Sequence, residues 1–210
     1  MPLQALLTQV DPGWYSRTGE PLDPRVLAAA RRSRLGLRLL GRTLLRDGGA
    51  EALLAPRPGA ATPTAILRWP RAKLARLVRD LGVLSHAPLI RAEVRREPVR
   101  RLKQALAGSY LLALDPTIWD ARVDRDVHYR LQQAWEPLWS GGGPPDDARL
   151  FAVLERQGRN ELRHWAARRD RPLGEWVALL HPPEEAGPAH LPEKPVLLLA
   201  THHETSREAA

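Results

Sequence analysis

Apolar residues recur at intervals of three and four along most of the chain, the spacing that lines one face of an α-helix. Leu74, Leu77, Val78 and Leu81 fall at i, i+3, i+4 and i+7. Residues 123–138 carry the longest such stripe, which consists of Val123, Val127, Leu131, Ala134, Trp135 and Leu138. Alternation of apolar and polar residues, which is typical of a half-buried β-strand, is nearly absent. The sequence therefore predicts an all-α fold.

Prolines, glycines and short polar residues divide these stripes into separate helices. Asp23-Pro24 predicts a helix start, because aspartate caps free amides and proline at the first helical position loses no donor. Gly48-Gly49 predicts the end of that helix. Thr117 with Asp120 predicts a capping-box start for the next long helix. We expect a single compact domain of about six to eight helices, with an irregular N-terminal region and a C-terminal tail.

Composition predicts three segments. Residues 1–69 are predicted to form an N-terminal helical and irregular segment, and the Ala-, Pro- and Gly-rich residues 49–70 are predicted to connect it to the main body. Residues 70–181 form the main helical body, and residues 182–210 form a flexible tail. Within that tail, residues 196–199 (Val-Leu-Leu-Leu) are interpreted as a lone strand or a docked segment.

Positive charge is concentrated in two parts of a chain whose net charge is +8. Residues 71–103 hold ten basic and three acidic side chains. Residues 24–46 contain no acid and seven arginines, namely Arg25, Arg31, Arg32, Arg34, Arg38, Arg42 and Arg46. Such segregation favours an anionic partner, which would be a nucleic acid, an acidic lipid or an acidic protein face. GC-rich codon usage is an alternative explanation for a chain with 29 arginines and three lysines.

No pattern in the sequence predicts catalysis, a cofactor or a metal. The chain has no cysteine, so thiolate chemistry and disulfides are excluded. No phosphate-binding loop or nucleophile elbow is present. Glu161 and His164 have a spacing used by di-iron bundles, but the remaining ligands are missing. We interpret this pair, and the series Asp120, Asp124 and His128, as solvated helix-surface groups, and we interpret His202-His203-Glu204 as incidental. We therefore predict a non-enzymatic protein.

Two of the seven tryptophans are candidates for contact with a partner. Trp135 and Trp139 are one helical turn apart, immediately before the glycine- and proline-rich residues 141–145. Because tryptophan is enriched at interface hot spots, one of the pair is predicted to be in the core and the other to be an exposed anchor. Core packing of both is the alternative.

Nucleic-acid binding by a basic helical or regulatory protein is the alternative function. Residues 71–85 and 98–112 are two basic helical segments, but the stretch between them is longer than the 3–4-residue turn of a helix-turn-helix. The basic segments also lack the interleaved aromatic residues on which bases stack. No stretch of the chain is apolar for long enough to predict membrane insertion, and no secretory signal is recognised.

Residues 74–112 resemble the central segment of the YscK/SctK family of bacterial type III secretion systems. The features that carry the resemblance are Leu81-Gly82-Val83-Leu84, Leu89-Ile90-Arg91, Val94, and Pro98 followed by Leu102 and Leu106. Downstream, Trp119, the helix that ends near Trp135 to Trp139, and Leu162-Arg163-His164-Trp165 stand in a similar order. The resemblance covers roughly residues 70–180 and consists of helix-packing patterns. The first seventy residues match loosely, and this chain is more basic than expected for the family.

The resemblance implies a cytoplasmic adaptor, peripheral to the inner-membrane secretion apparatus and required for protein export. Its partners would be the SctQ-like C-ring protein of the sorting platform and the SctD-like cytoplasmic domain of the inner-membrane ring, with no cofactor and no nucleic acid. The residues that we predict to bind these partners are Arg91, Arg95, Arg100, Arg101, Trp135 and Trp139.

Overall fold

The computed structural model describes residues 3–16, 22–47, 50–54, 69, 71–140 and 146–205. Every regular element in these residues is helical, so the predicted all-α fold is confirmed. The helices are more numerous and shorter than predicted, because non-helical residues interrupt several of the apolar stripes. They group into two compact units, each assembled from two separate stretches of chain.

The first unit contains residues 1–71 and 163–186. Its helices are α1 (Leu3–Gln9), α2 (Pro24–Arg32), α3 (Arg34–Asp47), α4 (Glu51–Leu54) and α11 (Arg171–Leu179), together with the last turns of α10 (Asp147–Arg169). A 3-10 turn, Pro12–Tyr15, follows α1. The two stretches are joined by polar contacts: the Asp11 amide donates to the Leu179 carbonyl at 2.8 Å, and Trp14 Nε1 donates to the His181 carbonyl at 2.8 Å.

The start predicted at Asp23-Pro24 is confirmed, but the helix that follows is interrupted. The Asp23 carboxylate accepts a hydrogen bond from the Arg25 amide at 2.6 Å. Helix α2 ends at Ser33, whose backbone is extended and whose hydroxyl accepts from the Gly36 amide at 2.9 Å. Ser33 is therefore the N-cap of α3, and the single helix expected over residues 24–47 is two helices.

The second unit contains residues 72–162 and 187–210. Its helices are α5 (Arg71–Ser85), α6 (Ala87–Ala92), α7 (Arg96–Leu106), α8 (Tyr110–Leu114), α9 (Arg125–Trp135), the earlier turns of α10, and α12 (Glu193–Thr205). Short 3-10 turns, Ala107–Ser109 and Glu136–Leu138, follow α7 and α9. The apolar stripe predicted on α5 is buried throughout.

Two glycines allow α5 and α10 to cross with their backbones in contact. A Cβ atom at Gly82 would overlap the carbonyl of Leu154, and a Cβ atom at Gly158 would overlap the carbonyl of Val78. The contact is reciprocal, since each helix supplies one glycine to the other helix's backbone. Gly82 therefore has a packing role, because a residue with a Cβ atom would not fit against the Leu154 backbone.

The helix start predicted at Thr117 is wrong. Residues 115–124 are not helical, and α9 begins at Arg125 after Asp124, whose carboxylate accepts from the Val127 amide at 2.8 Å. Asp115 accepts from the amide and hydroxyl of Thr117, which forms a local turn. Ala121 has a φ of 61°, a left-handed conformation that no helix can contain.

The prediction of a flexible C-terminal tail is also corrected. Residues 193–205 form α12, in which Val196, Leu199 and Ala200 are buried. Of the two interpretations of residues 196–199, the strand is wrong and the docked segment is confirmed. The predicted divisions at residues 69 and 181 differ from the two observed units, because each unit combines chain stretches that are distant in sequence. Most of the predicted 49–70 connection and the loop of residues 141–145 lie outside the described residues.

Within the described residues, no helix is both long enough and apolar enough to cross a membrane.

Candidate functional site

Arg91, the first predicted partner-binding residue, is engaged within the second unit. Its guanidinium donates to four backbone carbonyls: from Nε to Ala113 at 2.6 Å, and from the terminal nitrogens to Asp120 at 2.9 Å, Trp119 at 2.8 Å and Asp115 at 3.3 Å. The four carbonyls lie at or beyond the C-terminal end of α8, where helical amides are no longer available to them. Arg91 fastens the end of α8 and the following loop to α6, so its role is structural.

The other three predicted arginines form ion pairs inside the same unit. Arg95 makes a two-pronged contact with Glu93 at 2.9 and 2.7 Å, and this hydrogen bonding lowers the pKa of Glu93 below its usual value. Arg100 pairs with Glu97 at 2.8 Å, and Arg101 pairs with Asp147 at 3.0 Å. Arg95 and Arg100 remain exposed, and exposed pairs of this kind contribute little to stability because water screens them. Their positive charge is largely neutralised by neighbours.

The two predicted tryptophans occupy different environments. Trp135 is buried and stacks on His86 with ring centroids 5.3 Å apart. Trp139 is half-buried and lies against Trp135 in a tilted arrangement at 5.8 Å. The indole nitrogen of Trp139 has no hydrogen-bond partner in the described part of the chain. Trp135 is thus a core residue, and Trp139 retains partial exposure at the edge of the same aromatic group.

Several apolar side chains of the second unit, none of them predicted to be on the surface, are exposed. Val94, between α6 and α7, is 86% exposed, and Leu111 on α8 is 66% exposed. Leu114, one turn after Leu111, and Tyr129 on α9 are also exposed. Val94 lies three residues after Arg91, and Leu114 directly follows the carbonyl of Ala113 that Arg91 binds. In sequence these positions look like core residues of amphipathic helices, so only the packing distinguishes them.

A buried carboxylate and a histidine are in contact inside the second unit. Glu161 on α10 is 2% exposed, and its carboxylate accepts from His190 Nδ1 at 3.1 Å. It also accepts from the amides of His190 and Leu191, at 3.1 and 2.9 Å, and from Gln157 at 2.7 Å. Burial raises the pKa of Glu161, but the contacts with His190 and the Leu191 amide lower it by a larger amount. The pKa of Glu161 therefore lies below its usual value. The interpretation of Glu161 as a solvated surface group is wrong.

Histidines complete the hydrogen bonding at the C-terminal end of α5. His190 Nε2 faces the Ser85 carbonyl at 3.1 Å, so both of its ring nitrogens face acceptors. His86 Nδ1 faces the Gly82 carbonyl at 2.9 Å. The Gly82 carbonyl also accepts from the His86 amide at 3.2 Å and from the Ser85 hydroxyl at 2.9 Å, so the imidazole contacts add to the hydrogen bonding at this helix end. The group formed by His86, Glu161 and His190 is called the His–Glu cluster below.

His86 is neutral in the folded protein. It is 1% exposed, and burial, the main cause, lowers its pKa from 6.5 to about 4. With the proton on Nδ1, the lone pair of Nε2 is left buried without a hydrogen-bond donor in the described residues. The His–Glu cluster has the groups for acid–base chemistry but is closed to solvent, so its geometry is that of a structural clamp.

The remaining polar constellations are also structural. Asp80 on α5 accepts from the Ser109 hydroxyl at 2.6 Å and faces His203 Nε2 on α12 at 2.8 Å. The carboxylate stands between serine and histidine, whereas nucleophile activation requires the histidine in the middle. His203, interpreted from sequence as incidental, therefore helps to dock α12. Asp120 and Asp124 lie outside α9, and His164 is exposed, one turn from buried Glu161. Among the described residues, no group of three potential ligands could hold a metal ion.

No family model, curated protein or solved structure matches this chain.

Proposed function

We propose that this protein is a non-catalytic adaptor of a bacterial type III secretion system, which links the C-ring protein of the sorting platform to the inner-membrane ring. The proposal is supported by the resemblance of residues 70–180 to the YscK/SctK family. The observation that carries it is the exposure of Val94, Leu111 and Leu114 in that same segment. An adaptor needs apolar anchors that lose their water on binding, and these side chains are between 40% and 86% exposed.

In the proposed interface, exposed apolar residues take the place of several residues that were predicted from the sequence to bind partners. Arg91 and Trp135 serve the fold, and Arg101 is held by Asp147. The proposed interface therefore centres on Val94 and Leu111, with Arg95 and Arg100 as exposed charges at its margin. Charges of this kind guide association and orientation, whereas the buried apolar anchors supply most of the affinity.

The test is co-purification of the chain with the C-ring protein encoded in its own genome, measured by size-exclusion chromatography with light scattering. Val94→Asp with Leu111→Asp is expected to abolish co-elution, because charged residues would be buried at the interface. Leu197→Asp with Leu198→Asp is the matched control, since both residues are exposed on α12 of the same unit. The control variant is expected to co-elute like the wild type.

Two results would contradict the proposal. One is failure of the wild-type chain to capture either the C-ring protein or the ring's cytoplasmic domain. The other is equal loss of capture by the test and control variants. Binding of duplex DNA at physiological salt, without capture of either protein, would favour the nucleic-acid alternative.

A further inference from the structure

Three exposed arginines on α3 differ from the arginines predicted to bind partners in having no acidic partner within the described residues. Within the described residues, the side chains of Arg34, Arg38 and Arg42 on α3 make no hydrogen bond or ion pair. All three are exposed, and residues 24–46 contain no acid. The arginines of the second unit that were predicted to bind partners are instead held by carboxylates or carbonyls. Arg34, Arg38 and Arg42 therefore present three uncompensated positive charges on one helix.

Exposed leucines lie among these arginines. Leu35 is 68% exposed and Leu39 is 54% exposed, and Leu45 is also exposed. At about 100° per residue, the six side chains occupy an arc of about 140° on the outward side of α3. This surface is called the Arg/Leu face, and it consists of Arg34, Leu35, Arg38, Leu39, Arg42 and Leu45. The opposite side of the helix, with Leu40 and Leu44, is buried in the first unit.

We propose that the Arg/Leu face of α3 docks the protein on an anionic lipid membrane, with the helix lying in the plane of the surface. Arginine guanidinium groups form paired hydrogen bonds with lipid phosphates, and their long aliphatic stems reach those phosphates while neighbouring apolar groups lie deeper. Leucines on the same arc enter the boundary between headgroups and acyl chains. The attachment is peripheral, and it does not depend on the proposed adaptor function.

The mixture of leucine and arginine separates lipid from the other anionic partners. Nucleic acid would use the arginines, but it offers nothing to three exposed leucines, and the face carries no aromatic residue for base stacking. An acidic protein would need carboxylates and apolar pockets at fixed positions that match the arginines and leucines of this face. A fluid anionic bilayer offers a phosphate beside every arginine and hydrocarbon beneath every leucine, so it needs no such match.

The test is flotation of the full chain with vesicles of phosphatidylglycerol and phosphatidylethanolamine, compared with vesicles of phosphatidylcholine alone. The wild type is expected to float with the anionic vesicles only. Arg34→Gln, Arg38→Gln and Arg42→Gln together are expected to weaken binding on the order of a hundredfold, because each basic residue near an anionic surface adds attraction. Leu35→Ser with Leu39→Ser is expected to weaken it about tenfold or more.

A matched control removes the same charge from the second unit. Arg76→Gln, Arg96→Gln and Arg122→Gln alter three exposed arginines and are expected to leave vesicle binding within about threefold of wild type. Circular dichroism of every variant checks that the helices are intact, and because the altered residues are exposed, none of the variants should unfold.

Several outcomes would overturn the proposal. They are absence of wild-type binding to anionic vesicles, equal loss in the arginine control, and an unaffected leucine variant, which would show a purely electrostatic surface such as one for nucleic acid. Capture of an acidic protein through the Arg/Leu face, without vesicle binding, would also overturn it. None of these results depends on whether the C-ring protein is captured, so the two proposals fail separately.

Discussion

The His–Glu cluster concentrates the buried ionisable groups of the second unit at the end of α5. A carboxylate in a low-dielectric interior is costly unless its oxygens are satisfied, and here amides and one imidazole satisfy them. Removing one partner therefore destabilises the protein by more than the intact pair stabilises it, because the other partner is left buried without a hydrogen bond. Single substitutions at this cluster test how much of the fold depends on it.

Glu161→Gln is expected to lower the free energy of unfolding by about 3 kcal/mol, because His190 would face a neutral amide in a buried site. Glu155→Gln on the same helix is the control. Glu155 pairs with Arg79 at 2.9 Å, but both side chains are partly exposed, so the expected loss is about 1 kcal/mol or less. Urea denaturation at pH 7 measures both, and equal losses would contradict a special role for the buried pair.

The protonation of His86 makes stability depend on pH. Its folded pKa of about 4 is below the ordinary 6.5, so the unfolded chain binds the proton more readily between these values. Stability from this group is therefore complete above pH 6.5 and is lost as the pH falls towards 4. Between pH 7 and pH 5 the loss is about 2 kcal/mol. His190 and Glu161 face His86, and the pKa of Glu161 lies below its ordinary 4.5, so the Glu161 contribution is lost mainly under more acidic conditions.

His86→Gln isolates this effect, because it removes the titrating ring and leaves the other histidines. The stability difference between wild type and the variant is expected to shrink by about 2 kcal/mol from pH 7 to pH 5. Urea denaturation at a series of pH values measures it. A difference that stays constant across the range would show that His86 is not protonated preferentially on unfolding.

Between elements, helices α5 and α10 of the second unit cross so closely that only glycine fits at Gly82 and Gly158. Gly158 meets the Val78 carbonyl and the Gly82 amide, and no side chain can move aside to admit a methyl group there. A residue with a Cβ atom must separate the two helices, which removes packing along the whole crossing. Helix propensity alone would favour alanine at such a position.

Gly158→Ala is therefore expected to destabilise the protein by about 2–3 kcal/mol or more, despite the better helix propensity of alanine. Gly41→Ala on α3 is the control, since a Cβ atom at Gly41 meets nothing within 4 Å. The control is expected to be neutral or to stabilise by up to about 1 kcal/mol. Thermal unfolding measures both, and a neutral Gly158→Ala variant would show that the helices can separate without loss.

On the scale of the whole molecule, each compact unit is closed by a stretch of chain that is distant in sequence from the rest of it. The first unit needs residues 163–186, and the second unit needs residues 187–210. Helix α12 contributes buried Val196 and Leu199 and the contact of His203 with Asp80. The chain therefore cannot be cut at the boundaries predicted from composition without opening a unit.

Leu199→Ala on α12 is expected to cost about 2–4 kcal/mol, because it removes a buried side chain from the second unit. Leu198→Ala is expected to cost less than about 0.5 kcal/mol, because Leu198 is exposed on the same helix. Chemical denaturation of both variants provides the comparison. Equal and small effects would mean that α12 does not belong to the cooperative core.

The sequence by itself determined the all-α class, the start of α2 at Asp23-Pro24 and the apolar stripe of α5. These features rest on period and capping, which involve residues within one or two turns of each other. The net charge likewise follows from the sequence alone, whereas the family and the adaptor function stay predictions.

Only the tertiary structure decided which polar groups are free and which are held. Arg91 was predicted to bind a partner, yet it spans 22 to 29 residues to reach its four carbonyls. Glu161 looked like a surface residue until His190, 29 residues away, was placed beside it. Conversely, Arg34, Arg38 and Arg42 on α3 form no ion pair within the described residues, because no acid is folded onto them there. Local patterns cannot report such contacts, since burial and pairing depend on what the rest of the chain brings to the same place.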